Sequence, residues 1–392
     1  MKCIGNKWSV CLSATLGGIS LAIVQNKVPP IIKLLSHDFG INAQQAGWLS
    51  SIFALIGIFI AIPASGIIKK YPAKWVGIFS LLIAIIGSVN GYCASGFFLL
   101  LISRIIEGTG VGIVAVLGPS LISLWFEPDE RGLPMGIWTS WMTISQAILF
   151  FISGSIAKHW GWHGMWFVGI ACCVISLILY FLFVTEPVRK TQFKTTSARS
   201  FKQMEGIKSV SSWMLTLSAL FYAVCSFSFV TWISVVWSTN VGIEITEISK
   251  FISGLYVLEI FFTILNGWIF TRIRRRQKLG MVYCLLYGII GFFAFNFVHS
   301  IIALLIVVVI FPFFDGGIPT LLFTLAPQTQ RNSQNISLAV SLTIIGMKIG
   351  MLCAGPFFGW LVDIHGNIGL IFLVSAIGAL IFMKLINIYE KN

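Results

Sequence analysis

Charge is what this chain has least of. Asp, Glu, Lys and Arg make up 10% of its 392 residues, against roughly a quarter in an ordinary soluble domain. Acidic residues are the scarcer kind, 13 against 26 Lys and Arg. A water-soluble globule needs a charged surface that this composition does not supply, so that class is excluded. Long polar stretches are nearly missing as well, with 185–212 the single extended one. The eight cysteines lie in or beside apolar runs without C-x2-C spacing, which argues against a zinc or disulfide framework. There is no phosphate-cradling G-x-x-x-x-G-K-[ST], no nucleophile elbow and no H-E-x-x-H. An enzyme, a resident cofactor and a self-contained ATP-driven pump are therefore not expected.

What the chain has instead is apolar surface: 57% of its residues are hydrophobic, with 33 Phe and 14 Trp. Twelve helices of ~20 residues, the length that crosses ~30 Å of hydrocarbon, would use about that supply. Spans are expected near 8–35, 46–68, 75–94, 97–125, 133–157, 163–184, 213–238, 249–271, 278–296, 299–325, 334–361 and 367–388. With the N-terminus inside, 20 of the 26 Lys and Arg fall in cytoplasmic segments; Lys33, Lys158 and Lys250 are outside, and three lie within spans. The net charge of +13 is thus a topology signal that places both termini in the cytoplasm, and nucleic acid is not an expected partner. The apolar run after Lys7 continues without an A-x-A site, as a first span rather than a cleaved leader. Lean loops suggest a bacterial inner-membrane protein, embedded in the bilayer as a monomer.

The polar segment from Thr185 to Ser212, with six Lys or Arg, reads as a cytoplasmic linker between an N-terminal bundle, 1–184, and a C-terminal bundle, 213–392. Each part holds six spans with a basic cluster after its second: Lys69-Lys70-Tyr71-Pro72-Ala73-Lys74 and Arg272-Ile273-Arg274-Arg275-Arg276. Two like halves around a midplane site is a plan used by secondary transporters.

At these residues the chain resembles the major facilitator superfamily. The first cluster, with Ser65, Lys69, Lys70, Pro72 and Lys74, is similar to that family's G-x-x-x-D-R-x-G-R-R turn, and Gly267 to Arg276 looks like its repeat; both copies lack the aspartate. The resemblance implies a cytoplasmic gate at Lys69, Lys70, Arg131 and Arg272, with Glu127, Asp129 or Glu130 as substitute partners for Lys69 or Lys70. Arg104-Ile105-Ile106-Glu107-Gly108-Thr109-Gly110 resembles the fourth-span R-x-x-x-G-x-G, and Trp125 to Gly132 the turn that follows it. Gly355-Pro356-Phe357-Phe358-Gly359-Trp360-Leu361-Val362-Asp363 is similar to an eleventh-span G-P-x-x-G-x-x-x-D. The turn between spans four and five resembles cyanate, nitroimidazole and organic-anion carriers. The glycine-rich fifth-span motif usual in drug-proton antiporters is replaced by Ser145 to Gly154. The resemblance implies an all-α membrane fold of twelve helices in two pseudo-symmetric six-helix bundles and a secondary transporter working by alternating access; the charges within the spans, Lys27 with Arg104 assisting and Glu107 or Glu259 for the proton, lead us to expect proton-coupled uptake of a small anionic or zwitterionic molecule, with proton-coupled export of drugs or metabolites as the alternative.

Six charged residues lie inside expected spans, Lys27, Arg104, Glu107, Glu259, Asp315 and Lys348, and they sum to zero. Each costs ~2.5–3.5 kcal/mol at a helix centre, so they are either functional or struts that fix packing. Lys27 precedes Pro29-Pro30, and the stripe Ser13, Gly17, Ser20, Val24 and Lys27 is expected to face a cavity, where Lys27 with Gln25 and Asn26 would form a donor cluster for an anion. The alternative is a lysine snorkelling past the prolines. Arg104 and Glu107, three apart, can pair with each other, couple to a proton, or contact substrate. Gly108, Gly112 and Ala115 form a packing seam. Ser249, Ser253, Tyr256, Glu259, Thr263 and Asn266 make a polar stripe on the eighth span, and Thr139, Thr143 and Gln146 one on the fifth. Asp315, between Pro312 and Gly316-Gly317-Ile318-Pro319, is expected in a broken span, and Lys348 is expected to pair with Asp315 or Glu259. Gln146 and Tyr256 complete the expected substrate set, with protons as the expected coupling ion.

Overall fold

The computed structural model describes residues 6–127, 130, 132–185, 209–273, 275–330 and 336–386. Among them every regular element is helical. That fits the sequence: hydrocarbon offers no water, so a span satisfies its backbone either as a helix or in a closed barrel, and long continuous apolar runs suit helices rather than the alternating strands of a barrel. Among the described residues eleven helical stretches are long and apolar enough to cross a membrane, and a further apolar helix, Ile368–Lys384, has 17 residues. The described residues fall into two compact units, 6–41 with 48–185, and 42–47 with 209–386.

The first unit contains α1 (Lys7–Asn26), a 3-10 turn (Pro29–Ile31), α2 (Ile32–Phe39), most of α3 (Ala43–Ser51), α4 (Phe53–Lys70), α5 (Ala73–Tyr92), α6 (Phe97–Trp125), α7 (Gly132–Thr139), α8 (Trp141–Trp160) and α9 (His163–Phe183). Asn6 starts α1 by accepting from the N–H groups of Trp8 and Ser9 at 2.8 and 3.1 Å. Pro29 and Pro30 end it, because neither has an N–H to give to the carbonyls of Gln25 and Asn26 four residues back. The first span is therefore opened at Lys27, as the prolines predict. Gly108 lies against the Phe53 backbone, Gly112 against Gly57, and Gly110 against the Ser80 carbonyl. A Cβ at Gly108 or Gly110 would collide with backbone, so this seam brings α6 close to α4 and α5.

One expectation for α1 is corrected. Its small-residue stripe faces α9, not a cavity: Ser20 Oγ donates to the Cys172 carbonyl at 3.0 Å and lies 2.7 Å from Ser176 Oγ. Gly17 sits under the Tyr180 ring, and Val24 reaches Gly169. Small side chains let two helices close on each other, and the same pattern serves that purpose here.

The second unit contains α10 (Val210–Val241), α11 (Ile245–Arg272), α12 (Arg276–Asn296), α13 (Ile301–Leu325), α14 (Ile336–Asp363) and α15 (Ile368–Lys384). The expected break at Asp315 is absent: α13 runs unbroken for 25 residues with Pro312 and Pro319 inside it. Pro319 leaves the Asp315 carbonyl without its helical donor. The Tyr222 hydroxyl of α10 takes that place at 3.0 Å.

The eleventh-span motif has a structural use in this unit. Asp363 accepts from the N–H groups of Ala43 and Gln44, both at 2.9 Å, and so caps the first turn of α3, where Asn42 and Gln45 also cap each other at 2.8 and 3.2 Å. Gly355 and Gly359, two turns and one turn earlier, admit the backbones of Gly47 and Ala43. Gly359→Ile should push residues 42–47 away. A cysteine placed at Ala43 should then react with a maleimide several-fold faster in that background, and an unchanged rate would refute the clamp.

Candidate substrate and proton site

The charged residues of the first unit meet where α1 breaks. Lys27, Arg104 and Glu107 are each fully buried, 0% exposed. Lys27 Nζ donates to Glu107 Oε1 at 2.6 Å and to Ser88 Oγ at 3.3 Å, and stands 4.3 Å from the Trp166 ring centroid. Ser88 Oγ donates to the same carboxylate oxygen at 2.7 Å. Arg104 Nη1 donates to Glu107 Oε2 at 2.5 Å. Charge-assisted bonds of this kind are what a buried ion needs, since desolvation outweighs attraction unless the remaining donors are also satisfied.

Arg104 does more than pair. It donates to the carbonyls of Val24 at 2.6 Å, Gln25 at 2.5 Å and Leu49 at 3.0 Å. The Gln25 carbonyl is the one that Pro29 deprives of a helical donor, so the guanidinium stands in for the missing N–H and ties the open end of α1 to α3 and α6. Two cations share one carboxylate here, which leaves the cluster formally at +1.

Lys27 therefore points into the bundle rather than snorkelling outward, and the expected donor cluster is divided. Gln25 Nε2 and Asn26 Nδ2 turn to α8 instead, where both meet Met142 Sδ, at 3.7 and 3.8 Å. Gln146, also on α8, is half-buried.

In the second unit Asp315 Oδ1 accepts from the hydroxyls of Tyr287 at 2.8 Å and Tyr222 at 3.0 Å. Two tyrosine hydroxyls thus hold the Asp315 carboxylate. The polar stripe of α11 turns toward α13: Asn266 Nδ2 donates to the Phe313 carbonyl at 2.7 Å, and Thr263 and Glu259 lie over Gly316. Tyr256, on the same helix as Glu259, is buried, at 3% exposed. Lys348 is half-buried on α14. Tyr222→Phe should lower stability by about 1–2 kcal/mol by leaving the Asp315 carbonyl unpaired, read as a drop in thermal midpoint that Tyr222→Phe with Pro319→Ala partly reverses.

Of the expected gate, Lys70 Nζ lies 5.6 Å from the Tyr71 ring and Arg272 stacks 4.1 Å over Trp268. The Lys69 side chain and Arg131, like Asp129, lie outside the described residues. Glu130 is taken by Lys7 at 2.8 Å rather than by Lys70, beside an edge contact of Trp8 with Phe126. The Lys7 hydrogen bond holds the Glu130 carboxyl below its ordinary value. What stability this exposed pair adds is present above the ordinary carboxylate range and disappears as pH falls through the lowered value. Ser88, Trp166, Met142 and Tyr287 escaped notice in the sequence. Only contact across helices marks them.

A multi-pass helical membrane protein with buried ion clusters is the class these features define. The family model of the Major Facilitator Superfamily matches residues 10–337, and the chain belongs to that superfamily of transporters. An uncharacterised MFS-type transporter of Bacillus subtilis, YcnB, is 31% identical over 195 residues, 48% of this chain and 41% of that protein. The chain's match thus spans about two fifths of that relative's length. A TsgA homolog of Buchnera aphidicola is 24% identical over 361 residues, covering 90% of this chain and 89% of that protein. A crystal structure of a D-xylose-proton symporter superposes with a TM-score of 0.78 at 17% identity, covering 97% of both chains. The fold is that of the superfamily.

Proposed function

We propose that the protein is a secondary transporter that takes up a small anionic or zwitterionic metabolite together with a proton, by alternating access in a bacterial inner membrane, with both termini in the cytoplasm. The observation that carries this reading is the cluster of two buried cations on one carboxylate. While Glu107 is ionised it occupies Lys27 and Arg104. When it takes a proton it loses its hold on Lys27, and the cluster, then two charges positive, calls for a substrate carboxylate in its place. Proton and anion thus enter together. Arg104, held by three carbonyls, stays in position and assists, while Lys27 moves. Asp315, Glu259 and Lys348 form the charged set of the second unit, with Asp315 as a second place for a proton. Lys69, Lys70, Arg131 and Arg272 serve the cytoplasmic gate.

Purified protein in liposomes tests this directly. Under an imposed inward proton gradient, one or more small carboxylates from a radiolabelled panel should accumulate several-fold, the accumulation should collapse with a protonophore, and Lys27→Met should abolish it. Failure to accumulate any carboxylate, or full transport by Lys27→Met, would overturn the anion reading. Outward movement of cationic drugs that persists in Lys27→Met would replace it with export.

A further inference from the structure

Next to the charged cluster, the end of α1 carries a second polar group that the fold leaves underused. Gln25 and Asn26 are each 3% exposed. Their amide donors rest mainly on the Met142 thioether, at 3.7 and 3.8 Å, which is a weak acceptor. Asn26 Nδ2 also reaches Ser145 Oγ, at a long 3.4 Å, while the hydroxyl proton of Ser145 goes to the Met142 carbonyl at 2.7 Å. Gln25 Oε1 has no hydrogen-bond partner. Turning that amide over would exchange acceptor for donor and still leave one end without a partner. Buried carboxamides are normally paired, and two adjacent ones resting on a methionine sulfur are the exception that asks for a ligand. Met142 is only half-buried, and its unbranched side chain can swing aside.

We propose that this face of α1 and α8 is a binding subsite for the amide edge of a transported solute, an N–H beside a C=O. The solute N–H donates to Gln25 Oε1, its C=O accepts from Asn26 Nδ2, and Met142 is the cover that yields. A carboxylate does not fit these atoms, because it would set an anionic oxygen against Gln25 Oε1. A hydroxyl offers its donor and its acceptor from one oxygen, whereas an amide, urea or lactam edge offers them from two neighbouring atoms, one for each carboxamide. The assignment rests on the transport reading but not on Lys27, nor on the solute being an anion.

The test uses two isosteric pairs that differ only by N–H against O: N-methylpropionamide with methyl propionate, and N-methylsuccinamate with monomethyl succinate. Half-saturating concentrations are read from thermal stabilisation of the detergent-purified full chain. Each amide should half-saturate at a concentration about tenfold below its ester, the loss expected when a buried acceptor is left unpaired. Gln25→Leu should bring each pair to parity, and Gln25→Glu, which keeps acceptor oxygens, should retain the preference. Equal half-saturation in the wild type overturns the proposal, as does a preference that survives Gln25→Leu or the absence of stabilisation by either amide. The uncharged pair separates the two readings: amide selectivity there without any carboxylate binding sinks the anion site and keeps this one, and carboxylate binding without amide selectivity does the reverse.

Discussion

Arg104→Lys should be nearly as damaging as Arg104→Ala, and both should lower stability by about 4 kcal/mol or more. The guanidinium donates to Glu107 and to the carbonyls of Val24, Gln25 and Leu49. Each buried carbonyl left unpaired costs ~1–3 kcal/mol. A lysine ammonium carries its three donors on one atom and cannot reach carbonyls on two helices together with a carboxylate on a third segment, whereas the planar fork does so without rearrangement. Thermal midpoints of the purified variants decide the matter. Adding Pro29→Ala, which restores an N–H toward the Gln25 carbonyl, should return part of the loss in the Arg104→Lys background. A lysine variant as stable as the wild type would show that the guanidinium does not pin the end of α1.

Glu107→Gln should separate exchange from accumulation. The amide has the shape of the protonated acid, so Lys27 is permanently released and the anion-accepting form becomes the resting form. Counterflow of labelled substrate across liposomes should persist, while uphill accumulation under a proton gradient should fall at least about tenfold, because the carboxyl no longer reports the proton. Asp315→Asn tests the second place proposed for a proton, where Tyr222 and Tyr287 hold the carboxylate in the other unit. If Asp315→Asn alone loses accumulation, the proton belongs to the second unit and Glu107 is a fixed counter-charge.

Some of this was legible from residue order. The all-helical membrane class follows from long continuous apolar runs, because the bilayer leaves the backbone only helices or closed barrels, and a barrel strand alternates apolar and polar residues. The opening of the first span at Lys27 follows from Pro29-Pro30, and the Arg104 with Glu107 pair from their spacing of three. The same prolines-break-helices logic failed at Asp315, where α13 continues. There the orphaned carbonyl found a hydroxyl on another helix, and sequence does not show which helix will stand opposite. The α1 stripe failed for a related reason: small and polar residues mark a face that approaches something, and the pattern is the same for a cavity and for a close neighbour such as α9.

Residue order alone settled that the chain crosses the membrane many times and that it carries three cations and three carboxyls within the spans. Both are consequences of local composition against a solvent that rejects charge. Partnership was decided only in three dimensions. Lys27 took Glu107 from 80 positions away, Arg104 took the Gln25 carbonyl that Pro29 had orphaned together with those of Val24 and Leu49, and Asp315 took two tyrosines, while Gln25 and Asn26 were turned to a methionine. Desolvation dictates that each buried polar group must have a partner, but which partner depends on the helices that the packing of small residues brings within 3 Å, and that distance is a property of the fold.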